Sequence, residues 1–167
     1  MNLNMLHRKY KKAWPWLILS IGVIVLDQIT KYLAIHYLQF GQFFHVLPFF
    51  NFTLNFNTGA AFSFLGAAGG WQVYLFAFVS LVVSVALIIW LGRIKRSDYL
   101  LATAVSLIIG GALGNFIDRV RLTYVIDFLD FHINTWHYAT FNVADSAICM
   151  GTLLLILRMI STSRRRS

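Results

Sequence analysis

Four stretches of this chain, Trp14–Leu38, Trp71–Leu91, Tyr99–Ile117 and Phe141–Leu157, are apolar for long enough, or nearly so, to cross about 30 Å of hydrocarbon as helices. That property limits the fold more than any motif. In lipid, every backbone amide and carbonyl must be satisfied inside the protein, so such segments have to be helical. Hydrophobic residues fill 59% of the 167 positions and mean hydropathy is +0.70, too apolar for a soluble domain of this size. The expected class is an all-α membrane protein, with four transmembrane helices and a small extracytoplasmic β-platform between helices 1 and 2. Helices at about 14–38, 71–91, 99–117 and 141–157, with extracytoplasmic segments 39–70 and 118–140, make 1–167 a single integral membrane domain. The basic start followed by an apolar run has the outline of a secretory signal. The run continues past Asp27 and Lys31 with no clear small-x-small cleavage site, so it reads as a retained first helix.

The formal charge of +8 raises the question of nucleic acid, and its distribution argues against that partner. Eleven of the fourteen basic residues fall in three clusters at helix ends: Arg8, Lys9, Lys11 and Lys12; Arg93, Lys95 and Arg96; Arg158 and Arg164 to Arg166. Four spans put all three clusters on one side, which the positive-inside rule makes cytoplasmic, together with both termini. Among the acids, only Asp98 belongs to that side. Asp27, Asp118, Asp127, Asp130 and Asp145 map to the outer half of the membrane or just beyond, so the chemistry is expected at the outer face. The single cysteine, Cys149, excludes an intramolecular disulfide and reads as a small core residue.

Carboxylates inside membrane helices cost roughly 2.5–3.5 kcal/mol each even on mild scales, so they are paired or functional. Asp27 lies one turn before Lys31, acid first, which reads as an ion pair bracing the first helix. The segment Asn51–Asn57 alternates polar and apolar residues, the pattern of a half-buried strand, and Thr58-Gly59-Ala60-Ala61 then breaks it. Asn57 and Gly59 there suit either the binding of an extended peptide at a strand edge or ordinary loop packing. Gly110 and Gly114 let another helix approach closely, and Gly111, Asn115, Asp118 and Arg119 fall on one helical face. Asp118 beside Arg119 reads as a structural pair. Asn142 suits an N-cap, with Asp145 in the first turn of the helix it starts.

Two carboxylates held close share a proton, offering a base and an acid together, and that activates water against an amide without metal or covalent intermediate. Asp127, in Val125-Ile126-Asp127-Phe128, and Asp145 are the expected pair, with Asp118 the rival for either place. The apolar setting of Asp127 favours its holding the proton, and the helix dipole favours ionised Asp145. A metal site from Asp127, His132 and His137 matches no standard zinc spacing, so neither metal nor other cofactor is expected.

The motifs GGALGNFIDR, VIDF, FNVADS and NTGAAFSFL, with the early Asp27 and Lys31, together resemble the lipoprotein signal peptidases, or signal peptidase II, over nearly the whole chain and in the right order. The resemblance implies an aspartyl endopeptidase of the bacterial inner membrane that cleaves prolipoproteins before the diacylglyceryl-modified cysteine. It implies that Asp127 and Asp145 are catalytic. It further implies that Asn57, Gly111, Asn115, Arg119 and Asn142 line the substrate and inhibitor groove, while Asp27, Lys31 and Asp118 give structural support. Lipid-modified prolipoproteins and membrane lipids would be the partners, and globomycin-like inhibitors would bind.

Two other readings stand beside it. A serine protease using Lys31 with Ser63 or Ser146 would need a neutral lysine, whereas Asp27 one turn away keeps Lys31 charged. A small proton-coupled transporter or channel would string its acids through the membrane depth, whereas these gather at one face.

Overall fold

A computed structural model describes residues 11–59 and 69–164. After a short 3-10 turn at Trp14–Trp16, whose proline sits in the first turn, the chain forms α1 (Leu17–Tyr37), β1 (Phe44–Leu47) and β2 (Phe50–Asn57). It continues with α2 (Trp71–Leu91), α3 (Tyr99–Leu122), β3 (Val125–Ile133), β4 (Trp136–His137) and α4 (Val143–Arg164). All four α-helices are long and apolar enough to cross a membrane. Part of NTGAAFSFL, including Ser63, and the basic residues Arg8, Lys9, Arg165 and Arg166 lie outside the described residues.

α3 is the central helix. It packs against α1, α2 and α4, and 56% of its apolar span is buried, against 17–22% for the other three. Small side chains make this possible. A Cβ on Gly111 would meet the Ala144 carbonyl oxygen and Ile148 of α4, and a Cβ on Gly114 would stand 2.7 Å from an Asp27 carboxylate oxygen of α1. The outer helices turn their bulk outward, with Ile18, Phe78 and Met159 all well exposed to the surroundings a bilayer provides. Asp98 caps α3 by accepting from the Leu101 amide, and Arg158 of α4 clasps its two carboxylate oxygens at 3.0 and 2.8 Å.

The platform is larger than the sequence pattern indicates. β1 and β2 from between α1 and α2 are joined by β3 and β4 from between α3 and α4, in a four-stranded antiparallel sheet of order β1-β2-β3-β4. The segment expected as a loop after Ile117 instead continues α3 to Leu122, turns at Thr123 in a left-handed conformation, and runs straight into β3. Leu54, Ile126 and Phe128 pack with Ala34 of α1, which fixes the sheet on the end of the bundle.

One irregularity in the sheet sets the site. Phe52 pairs with Leu129 and Asn55 with Asp127, so β2 uses two residues where β3 uses one. Such a bulge reverses the face of everything beyond it. Asn51 therefore reaches Asp130 at 2.8 Å, while Asn57, an even number of residues further on, reaches Asp127 at 3.1 Å on the other face of β3.

The close α3–α4 contact predicts a graded response. Gly111→Ala forces two helix backbones apart and should cost about 1–3 kcal/mol, as overpacking does. Gly22→Ala on α1, where nothing lies within 4 Å, should leave stability unchanged or slightly raised. Thermal unfolding in detergent checks the pair.

Candidate active site

The polar end of the bundle is organised around Lys31. Its ammonium lies 2.8 Å from Asp27, 2.7 Å from Asp118 and 2.9 Å from the Asn115 side-chain oxygen, with all four residues buried. Three acceptors match the three ammonium hydrogens. Asp27 accepts the Ala144 amide at the start of α4 at 2.9 Å, and Asp118 accepts Gln28 at 2.8 Å and the Ile126 amide of β3 at 3.3 Å. The cluster thus ties α1, α3, α4 and β3 together at one level.

The Asp118–Arg119 pair expected from sequence does not form, because consecutive helix residues point about 100° apart. Asp118 faces Lys31. Arg119 instead donates to the Gly59 carbonyl at 3.0 Å and lies over the Phe76 ring of α2, 5.6 Å from its centroid. The Gly59 amide in turn donates to Asn57 Oδ1 at 2.9 Å, an Asx turn that closes the end of β2.

Asn142 and Asp145 form a reciprocal cap on α4. The Asn142 side-chain oxygen accepts the Asp145 amide at 2.9 Å, and the Asp145 carboxylate accepts the Asn142 amide at 3.2 Å. This cap commits the Asn142 oxygen, so its NH2 turns the other way and donates to Asp127 at 2.7 Å. Asn115 likewise gives its oxygen to Lys31 and its NH2 to Asp145, at 2.7 Å. Two amides therefore hold the two carboxylates, Asp127 on the sheet and Asp145 on α4.

Both carboxylates, with Asn57, Asn115 and Arg119, line one cavity of about 340 Å³. Asp127 and Asn57 also border a second cavity of about 290 Å³, together with Phe40, Asn55 and Thr140. Burial and the nearby Asp145 charge push the Asp127 carboxyl up to about 7, against the pull of hydrogen bonds from Asn57 and Asn142.

Other expected residues take different places. Gly111, expected along the groove, packs against Ala144 and Ile148 of α4 and is not among the described residues that line the cavity. Cys149, expected in the core, is exposed and lines the cavity, since it lies one turn after Asp145 on the same face. His137 pairs with Asp130 at 2.9 Å, away from Asp127, and among the described residues no group of three potential metal ligands occurs. Gln28, Phe76 and Thr140 had no signal in the sequence, because each meets the site only through long-range packing.

The fold and the cavity define a multi-pass membrane protein with two carboxylates, one buried and one half-buried, lining a single cavity where its helices meet a small sheet. A family profile described as signal peptidase (SPase) II matches residues 19–161. A lipoprotein signal peptidase of Coxiella burnetii (strain Dugway 5J108-111) is 63% identical over 158 residues, covering 95% of this chain and 97% of the relative. One from Acinetobacter baylyi is 48% identical, covering 90% and 84%. A solved bacterial membrane enzyme superposes with TM-score 0.84 at 30% identity, over 96% of this chain and 97% of the other. The chain belongs to the signal peptidase II family, membrane proteases of the aspartic type that process lipoproteins.

The Lys31 cluster carries two negative charges against one positive, which orders the expected stability losses. Lys31→Met leaves Asp27 and Asp118 buried without a cation and should cost about 3–5 kcal/mol. Asp118→Asn leaves a balanced Asp27–Lys31 pair and should cost clearly less. Melting temperatures in detergent test this order, and a larger loss for Asp118→Asn would refute it.

Proposed function

We propose that Asp127 and Asp145 are the catalytic pair with which this signal peptidase cleaves prolipoproteins before the lipid-modified cysteine. The observation that carries the assignment is Asn142. Its side chain donates to Asp127 and its backbone amide to Asp145, so a single residue aims both carboxylates at one cavity. With the proton on Asp127, ionised Asp145 takes a proton from a water molecule as that water attacks the scissile carbonyl. Asp127 gives its own proton to the carbonyl oxygen, which becomes the hydroxyl of a tetrahedral gem-diol. Collapse of that species, with proton transfer to the departing amine, breaks the C–N bond. The two hydrogen bonds that Asp145 accepts, from the Asn115 side-chain amide and the Asn142 backbone amide, together with its place in the first turn of α4, support its role as the ionised member.

Substrate contacts follow from the same geometry. Arg119 keeps a buried Nε with no hydrogen-bond partner among the described residues, suited to a carbonyl of an extended peptide. Asn57, Gly59 and Asn115 border that path, and the end of β2 beside the second cavity offers backbone groups to a peptide strand. The alternation of basic and acidic ends supports an inner-membrane orientation with both termini cytoplasmic and the carboxylates near the outer face. Membrane lipids surround the exposed helix faces, and globomycin-like inhibitors would occupy the cavity.

Asp127→Asn and Asp145→Asn should each lower cleavage of a lipidated peptide by at least about 10²–10⁴-fold while the protein stays folded, since Asn keeps the shape but cannot exchange the proton. Substantial activity in either variant would remove that residue from the pair. On the pH axis, Asp127 is protonated below about 7 and loses its proton above it, so the rate should fall on the alkaline side with an apparent pKa near that value. Difference infrared spectra add a second readout. A protonated-carboxyl band present at neutral pH should vanish in Asp127→Asn; its survival there and loss in Asp145→Asn would reverse the two roles.

A further inference from the structure

A third cavity, of about 330 Å³, opens at the opposite end of the bundle and is lined by Lys11, Lys95, Arg96, Ser97 and Tyr99. Its walls are braced by backbone bonds. The Arg96 amide donates to the Lys11 carbonyl at 2.8 Å, the Ala13 amide to the Ile94 carbonyl at 3.2 Å, and Lys12 bridges Lys95 in the antiparallel sense. The segment before α1 is thereby fixed against the turn between α2 and α3, which holds three cationic residues around one hollow. Among the described residues, no carboxylate lines it. The one acid on this side in sequence, Asp98, is committed to Arg158, whose hydrogen bonds hold the Asp98 carboxyl below the usual range.

The surroundings of the hollow are those of a membrane boundary. Trp16 and Tyr99 pack ring to ring, 6.2 Å between centroids, and aromatics of this kind favour headgroup level. Ile18 and Leu100, each close in sequence to that pair, are exposed apolar side chains on α1 and α3. A ligand fitting this arrangement has a negative charge for the hollow, acceptor oxygens for Ser97 and Tyr99, and hydrocarbon to lie along the helices. We infer that this cavity binds the phosphodiester headgroup of an anionic phospholipid. The lipid would fasten α1 to the α2–α3 turn at the end of the protein remote from Asp127 and Asp145. It is a separate site from the cavity that takes the peptide.

Native mass spectrometry of the full chain, released from detergent containing equimolar phosphatidylglycerol and phosphatidylcholine, tests the assignment. The unaltered protein should retain phosphatidylglycerol in preference, and each cation removed should weaken that preference about fivefold. The variant Lys11→Gln/Lys95→Gln/Arg96→Gln should lose it, while cleavage in neutral detergent remains and reports intact folding. Arg96→Gln alone gives the single-step loss should the triple variant fold poorly. A control, Arg93→Gln, removes one charge from the same end outside the hollow and should keep the preference that Arg96→Gln weakens. Equal retention of both lipids, retention by the cavity variant, or equal loss in the control would overturn the inference. Millimolar inorganic phosphate or glycerol phosphate provides the remaining arm. Binding of either with displacement of phosphatidylglycerol would make the ligand a soluble phosphate and overturn the lipid assignment.

Discussion

A lysine ammonium surrounded by membrane helices is tolerable only if every hydrogen finds an acceptor and a carboxylate stands beside it, and Lys31 meets both conditions through Asp27, Asp118 and Asn115. The geometry of the cavity descends from that contact. Because the Asn115 oxygen is held by the ammonium, its amide hydrogens must point away, and away is toward Asp145. A flipped Asn115 would set its NH2 against the positive charge and leave the carboxylate facing an oxygen. The orientation of Asn142 is fixed in the same manner by the cap on α4, which directs its NH2 to Asp127. Neither carboxylate is positioned by its own backbone alone; each is aimed by an amide whose other end is already occupied.

This arrangement demands a helix that can be approached from three sides, and α3 has that character. Its small residues admit α1 and α4 closely, so Asn115, Asp118 and Arg119 reach three different partners from one turn of backbone. The division of labour among the helices follows. α2 carries no charged residue and mainly covers α3, contributing Phe76 beneath Arg119, while the other three supply the polar groups. Stiffness matters here, since the proposed chemistry needs the two carboxylates held at a fixed separation by the scaffold.

The four helices were legible in the sequence because apolar length is a local property, and so was the α4 cap, written in Asn142 and Asp145 three residues apart. The convergence of Asp127 and Asp145 on one cavity was also readable, since their settings already separated them from solvated surface acids. The strand Val125–Ile133 was not. A run such as VIDFLDF, buried on both faces, lacks clean alternation, and its pairing with β2 spans some seventy residues of chain. The polar residues of β2 also run against the simple rule that polar positions face water. Asn51 and Thr53 are buried, because Asp130 and its neighbours supply the polar environment within the protein. Asp118 and Arg119 misled by adjacency: nearness along a helix is not nearness in space.

The extra residue in β2 carries a consequence for how this chain can change over time. Which face Asn57 presents depends on the number of residues between Phe52 and Asn55, a matter of counting rather than of side-chain identity. Substitutions at Thr53 or Leu54 alter packing by degrees. Loss or gain of one residue there swaps the partners of the whole strand end, withdrawing Asn57 from Asp127 and releasing the turn that meets Arg119. The segment is therefore far more tolerant of spelling changes than of length changes, and natural variation within it should preserve its length even where its letters drift.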